Sequence, residues 1–242
     1  VDYLRVKGQI VDWIKKEVAE AGAEGTVVGI SGGIDSAVVA ALCQQAFPEN
    51  NLGVIMPCES DPGDAELAKE LAETLGIKYV QVDLTDTYRT LLTALENDDA
   101  PQLAKANIKP RLRMTALYYY AAKYNYLVAG TGNRSELFTG YFTKYGDGGV
   151  DMEPIGGLVK TQVRELAKIS GVPETIITRP PTAGLWQGQT DEGEMDITYE
   201  ELDEYILHGR GSAKVRTVTR RLHQSSEHKR KVPPVLEFPL NK

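Results

Sequence analysis

Gly29-Ile30-Ser31-Gly32-Gly33-Ile34-Asp35-Ser36 is the stretch that decides the fold. Before it runs an apolar, β-branched segment, Thr26-Val27-Val28. After it, Ala37-Val38-Val39-Ala40-Ala41-Leu42 opens a helix. A strand, a glycine turn and a helix N-terminus in succession make an anion site. Glycine lets the backbone approach the anion and tolerates positive φ. Successive N–H groups form a nest, and the helix dipole adds partial positive charge. Ser31 and Ser36 add hydroxyl donors. Asp35 is the odd member, because a carboxylate beside a phosphate is repulsive unless a divalent cation lies between them; it reads as a Mg²⁺ ligand. The Walker loop is excluded, since no lysine lies between Gly29 and Val39.

Working outward, apolar residues at Val6, Ile10, Ile14 and Val18 predict an amphipathic helix over 3–21. Strands are expected at 26–30, 52–56, 78–82 and 126–129. Helices are expected at 35–47, 62–75, 85–97 and 110–124. This alternation predicts an α/β fold, a doubly wound parallel sheet with helices on both faces. Such sheets bind ligands at the carboxyl ends of the strands, where strand order reverses. The loops after the first and fourth strands both lie at that end, so Asp35 and Glu136 are expected on one rim. Residues 139–157 hold six glycines and read as an ordered functional loop. A helix is expected at 161–169, a long loop over 180–197 and a helix at 198–208. A basic stretch follows over 210–231.

At 242 residues the chain is long enough for a full core and is expected to form a single domain, 1–242. A net charge of −7 argues against a nucleic-acid surface. Cys43 and Cys58 are too few for a disulfide framework or zinc site and read as core thiols in a reducing compartment. No apolar run approaches the roughly 18 residues that span a membrane. The N-terminus carries no signal-peptide pattern, so a cytoplasmic protein without membrane or nucleic-acid partners is expected.

The loop at 31–36 resembles the Ser-Gly-Gly-x-Asp-Ser loop of the ATP pyrophosphatases, which cleave ATP between the α and β phosphates. Further strings sharpen the resemblance. They are Gly130-Thr131-Gly132-Asn133-Arg134-Ser135-Glu136, Thr139-Gly140-Tyr141-Phe142-Thr143-Lys144-Tyr145-Gly146-Asp147-Gly148-Gly149, Pro181-Thr182-Ala183 and Ser226-Glu227-His228-Lys229-Arg230. In this order, over about residues 5–235, they resemble the ammonia-dependent NAD synthetases. The resemblance implies an adenine nucleotide alpha-hydrolase-like, Rossmann-like fold. It also implies a ligase that amidates deamido-NAD with ammonia and ATP, through an adenylated carboxylate, releasing AMP and pyrophosphate. It implies Mg²⁺ and a homodimer with the site near the interface. No glutaminase domain is expected beside this one in 242 residues.

The resemblance also assigns roles. Gly29, Ser31, Gly32, Gly33, Asp35 and Ser36 would hold pyrophosphate, with Thr131, Lys160 and Thr182 as further ATP contacts. Asp35, Glu136 and Thr182 would serve the metal. Asn107, Arg111, Tyr141, Phe142, Lys144, Asp147, His228 and Lys229 would face deamido-NAD, with Tyr141 or Phe142 stacked on the pyridinium. Asp35, Lys160 and Asp147 are the catalytic candidates. Asp147 has two readings, a base that accepts the ammonium proton or a cap on the Gly146–Gly149 turn. Arg111 also fits a surface helix position, and Lys160 a turn cap. Trp186 fits either a cover over the site or the surface. The tyrosine-rich helix (Tyr118, Tyr119, Tyr120, Tyr124) fits an interface or a core.

The segment Pro57–Asp64 departs from the family pattern, which leaves the adenine contacts open, and Arg179-Pro180 stands where the family has a lysine nearby, keeping the charge with a different geometry. Two rival classes share the first loop. The tRNA-modifying ATP pyrophosphatases need basic surfaces and, for thiolation, reactive cysteines, which the charge and cysteine count disfavour. A non-catalytic nucleotide sensor would be marked by a degenerate loop, whereas Asp35 and Glu136 are both present.

Overall fold

The computed structural model describes residues 1–95, 99–180 and 190–236. Along the chain run α1 (Tyr3–Glu20), β1 (Gly25–Gly29), α2 (Ile34–Ala46), β2 (Asn51–Ile55), α3 (Pro62–Leu75) and β3 (Lys78–Gln81). Next come α4 (Thr85–Ala94), α5 (Gln102–Ala106), α6 (Ile108–Tyr124), β4 (Tyr126–Ala129) and α7 (Arg134–Thr139). The remainder is helical, with α8 (Lys160–Lys168), α9 (Glu174–Ile177), α10 (Asp191–Met195), α11 (Tyr199–His208), α12 (Ala213–Ser225) and α13 (Glu227–Arg230).

The four strands form one parallel sheet of order β3-β2-β1-β4. The chain builds outward from β1 to β3, then returns through α4–α6 to place β4 on the other side of β1. The switch point therefore lies between β1 and β4, which brings together the two loops expected at the carboxyl end of the sheet. Past β4, Met152 forms a parallel bridge with Ala129, and its carbonyl accepts from Gly130 N at 2.7 Å.

Side-chain alternation along the strands divides the core between the two faces. Val28, Ile30, Ile55 and Ala129 pack with α1, α2, α3, α8 and α9. Val27, Val54, Met56 and Val128 pack with α4 and α6. Helix α2 is buried on nearly all sides, which explains its run of small and β-branched residues without a polar face. A third cluster, Met195, Ile197, Tyr199, Leu202, Val215 and Val218, holds α10, α11 and α12 together.

Several short elements depart from expectation. The stretch 180–197, read as one loop, contains α10, capped by the Thr190 side chain accepting from Gly193 N. Helices α5, α7 and α9 have too few residues for a periodic pattern to register. Helix α6 begins at Ile108, two residues before Pro110, because proline is tolerated in a first turn. The basic stretch resolves into α12 and α13. Cys43 and Cys58 are both free and buried, as core thiols should be, and burial raises Cys43 to about 12. No helix among the described residues is long and apolar enough to cross a membrane.

Candidate active site

A cleft of about 550 Å³ opens at the carboxyl end of the sheet, over the switch point. Its floor is the loop between β1 and α2. Gly32 sits at φ +79°, and a Cβ there would lie 2.6 Å from the Asp64 carbonyl oxygen, so only glycine lets this turn pass beneath α3. The serines set the loop's shape. Ser31 Oγ and Ser36 Oγ are 3.0 Å apart, Gly33 N donates to Ser31 Oγ at 3.2 Å, and Ser36 Oγ donates to the Gly33 carbonyl at 2.9 Å. Ser31 N also donates to Ser36 Oγ at 3.2 Å. The turn is thus held in a fixed form by its own hydroxyls, which take up the Ser31 and Gly33 amides.

Asp35 stands in the first turn of α2 and faces Glu136 in the first turn of α7. Asn133 organises both. Its side chain donates to Asp35 Oδ1 at 2.9 Å, and its backbone N–H donates to Glu136 Oε2 at 3.1 Å. It also caps α7, with Glu136 closing the capping box. Lys160, the first residue of α8, drives its ammonium between the two carboxylates. It is hydrogen-bonded to Asp35 Oδ2 and 3.7 Å from Glu136 Oε1. The Lys160 side chain is only 3% exposed. Burial alone would lower its pKa, but the charges of Asp35 and Glu136 outweigh burial and raise it, so it stays protonated. Burial, followed by the neighbouring charge of Asp35, pushes Glu136 well above the usual carboxylate range.

Two carboxylates are the usual protein contribution to a Mg²⁺ site completed by substrate phosphates and water. Asp35 and Glu136 fit that donor set. Among the described residues no group of three or more His, Cys, Asp or Glu is placed to hold a metal by itself.

The opposite wall is the glycine-rich loop after α7. Thr143 Oγ1 donates to Asn107 Oδ1 at 2.8 Å, and Thr143 N donates to Asp147 Oδ1 at 2.9 Å. Asp147 is open to the water of the cleft but has protein on its other sides, and this partial desolvation raises its carboxyl. Lys229 reaches in from α13, donating to the Gly140 and Phe142 carbonyls at 2.7 Å each, with its ammonium over the Phe142 ring. Burial lowers its pKa. The Tyr141 hydroxyl donates to Glu194 of α10.

Of the residues singled out in the sequence, Gly29, Ser31, Gly33, Asp35, Ser36, Asn107, Thr131, Glu136, Tyr141, Phe142, Asp147, Lys160 and Lys229 line this one cleft. Gly32 shapes the loop from behind. Arg111, Lys144 and His228 stand outside the lining, joined on the adjoining rim. Arg111 Nη2 donates to the Lys144 carbonyl at 3.3 Å, and Lys144 Nζ to the His228 carbonyl at 2.7 Å. Thr182 and Trp186 lie outside the described residues.

Sequence reading missed Arg113 and Asp191, which line the cleft together with Arg179, a residue noted in the sequence only as a departure from the family pattern. Arg113 donates to the Met56 carbonyl and to Ser60 Oγ, each at 3.1 Å, and burial lowers its pKa. Its signal was available, because Pro110, Arg113, Met114 and Leu117 follow the i, i+3, i+4, i+7 spacing of one helix face. Arg179 Nη2 pairs with Asp64 Oδ1 at 2.5 Å, which ties the chain after α9 to the first turn of α3. Asp191 accepts from the Tyr199 hydroxyl at 2.9 Å, and the Tyr199 ring lies under the Lys160 ammonium.

Known proteins resemble this chain in both sequence and architecture. The NAD synthase family profile matches residues 6–233. The NH(3)-dependent NAD(+) synthetase of Carboxydothermus hydrogenoformans is 55% identical over 94% of this chain and 95% of its own length. That of Finegoldia magna is 48% identical over 98% of both chains. Among solved structures, NMN synthetase from Francisella tularensis superposes with a TM-score of 0.95 at 38% identity, covering 98% of this chain and all of its own. NH3-dependent NAD synthetase from Campylobacter jejuni superposes at 0.82 with 31% identity, covering 98% of this chain and all of its own. With the glycine loop, the paired carboxylates and the buried lysine assembled at one switch point, and with relatives this similar along nearly the whole chain, the chain belongs to the NAD synthase family.

Proposed function

We propose that this chain amidates the nicotinate carboxylate of deamido-NAD with ammonia, at the expense of ATP, yielding NAD, AMP and pyrophosphate. One observation carries the reading: a buried lysine is held between two carboxylates, one of which, Asp35, directly follows the glycine turn. That is a seat for a triphosphate whose pyrophosphate leaves.

A carboxylate is a poor acyl donor because oxide is a poor leaving group. A substrate carboxylate oxygen first attacks the α-phosphorus, forming a C–O–P bond as the bond to the β-phosphate bridge breaks. Ammonia nitrogen then attacks the carbonyl carbon, and the C–O bond breaks to release AMP. The first step moves negative charge onto the leaving pyrophosphate, so oriented donors govern its rate. The amides of residues 31–33 and the Ser31 and Ser36 hydroxyls would become those donors by exchanging their bonds to one another for phosphate oxygens, and Lys160 offsets charge on the phosphate chain. Asp35 and Glu136 would hold Mg²⁺, whose chemistry when bound is to neutralise phosphate oxygens and orient the chain for in-line attack. Thr182 is assigned to the same phosphates. Asp147, beside the acyl centre in this reading, holds ammonium and accepts its proton. Tyr141 and Phe142 flank the nicotinate. Arg111, Lys144 and His228 contact the remainder of the dinucleotide, on a rim that a second copy completes in a homodimer. We assign the protein to the cytoplasm.

The test is one assay of the purified protein with ATP, Mg²⁺, ammonium and deamido-NAD, following NAD, AMP and pyrophosphate together. Equal amounts of all three are expected. Formation of ADP would overturn attack at the α-phosphorus. AMP without NAD would point to another acceptor. A second acceptor is favoured by the superposition at 0.95 on a protein named as an NMN synthetase. The same chemistry on the mononucleotide would make the nicotinic acid mononucleotide carboxylate the substrate. Comparing kcat/KM for the two acceptors in the same assay decides between them.

A further inference from the structure

Glu136 and Lys160 come from different helices, and the contact that registers those helices lies behind the cleft rather than in it. Asp203 of α11 is 1% exposed. Its Oδ1 accepts from Ser135 Oγ at 2.5 Å and its Oδ2 accepts from Thr161 N at 2.8 Å. Ser135 Oγ in turn accepts from Lys160 N at 3.0 Å. Ser135 immediately precedes Glu136, and Thr161 immediately follows Lys160. One carboxylate thus ties the first turn of α7 to the first turn of α8.

The local sequence explains why an outside group is needed. The residue before α8 is Val159, which has no polar side-chain atom to cap the first N–H groups. A helix start buried without partners is costly. Asp203 supplies the missing acceptor to Thr161 directly and, through the Ser135 hydroxyl, to Lys160. Its negative charge is also favourable at the positive ends of two helix dipoles. Ser135 and Lys160 are themselves 0% and 3% exposed, so water does not substitute.

We propose that Asp203 is a positioning residue for the reaction. It acts through Ser135 and Thr161 to fix the separation of the Glu136 carboxylate and the Lys160 ammonium. The proposal rests on the reading that this pair serves the phosphate chain. It also makes the α10–α12 cluster, where Asp203 resides, part of the catalytic scaffold rather than an appendage.

Asp203→Asn keeps the shape but places an NH2 where one acceptor stood. Ser135→Ala removes the bridging hydroxyl by a change that a buried site tolerates more readily. Val218→Ala, in the same α10–α12 cluster, serves as a control for loss of stability alone. Each is assayed about 10 °C below its own midpoint of unfolding. Asp203→Asn and Ser135→Ala are expected to lower kcat about tenfold or more and to weaken Mg·ATP binding measured by calorimetry. KM for deamido-NAD should stay within about twofold. The double variant should lose no more than the worse single one, because the two residues act as one unit. If the losses match those of Val218→Ala at an equal fall in midpoint, Asp203 is only structural and the proposal is wrong. If wild type makes no NAD, the functional reading fails instead, and positioning is judged from Mg·ATP binding alone.

Discussion

Replacing Lys160 by methionine keeps the chain length and apolar stem but removes the charge. The ammonium is 3.7 Å from Glu136 Oε1 and hydrogen-bonded to Asp35. A unit charge at about 4 Å in surroundings of effective dielectric about 20 is worth about 4 kcal/mol. If Lys160 meets a phosphate oxygen at a similar distance in the transition state, its loss raises the barrier by that amount. Each 1.36 kcal/mol is a factor of ten, so kcat/KM for ATP should fall about 1,000-fold. Lys160→Arg should recover only part of this, since a planar guanidinium does not fit a slot shaped for an ammonium. The assay is continuous NAD formation at saturating deamido-NAD and ammonium with ATP varied, together with pyrophosphate release. Without the lysine, the buried Asp35 and Glu136 lose their counter-charge and at least one must take up a proton, so the unfolding midpoint should drop in the absence of divalent cations. Added Mg²⁺ should restore part of it. A Lys160→Met enzyme within tenfold of wild type in kcat/KM would refute the electrostatic role.

Glu153 offers a test by pH. Its Oε2 accepts from Gly132 N at 2.9 Å, and burial raises its carboxyl to about 8. Between about pH 4.5 and pH 8 the folded chain therefore holds a proton that the unfolded chain has released, and stability falls as pH rises through that window. Glu153→Gln carries no such proton, so its midpoint relative to wild type should rise between pH 5 and pH 8.5; a constant difference would show that Glu153 is ionised in the fold. Asp147→Asn should lower kcat/KM for ammonium by about 100-fold, the scale of one general base. Wild-type turnover at limiting ammonium would leave Asp147 only the Thr143 turn contact. Gly140 sits at φ +71°, and a Cβ there would lie 2.0 Å from Ser226 Cβ. Left-handed strain and overpacking together predict that Gly140→Ala loses about 2–5 kcal/mol of stability, read by denaturant unfolding. A loss below about 0.5 kcal/mol would mean that α13 moves aside freely.

The sheet was legible because its signals are local. Val27 and Val28 next to Ser31-Gly32-Gly33 mark a strand end, and Gly76 and Pro57 mark stops where the chain turns. The pairing of Asp35 with Glu136 was also legible, since both follow strands that flank the switch point. What sequence did not disclose is how residues far apart meet. Nothing near Lys160 announces that its helix is capped by Asp203, and nothing near Gly132 announces Glu153. Arg113 carried a periodic signal, but Arg111 lies two residues away and drew the attention by its family match. Lys229 was anticipated as a ligand contact, yet in the fold its ammonium also holds the Gly140 and Phe142 carbonyls. That structural contact follows from packing and has no sequence pattern of its own.

The order β3-β2-β1-β4 has a consequence during synthesis. Strand β1 gains its neighbour β2 soon after it leaves the ribosome, but β4 is encoded roughly 100 residues later. At about 5–20 residues per second, the second edge of β1 waits on the order of 5–20 s for its partner. Through that interval the nascent chain presents an open strand edge rich in valine, the kind of surface that pairs with other chains. Binding of a nucleotide cannot rescue it early, because Glu136 and Lys160 arrive later still. The stretch of translation between β1 and β4 therefore leaves a strand edge uncovered, and slowing elongation there should cost soluble yield without changing the finished enzyme.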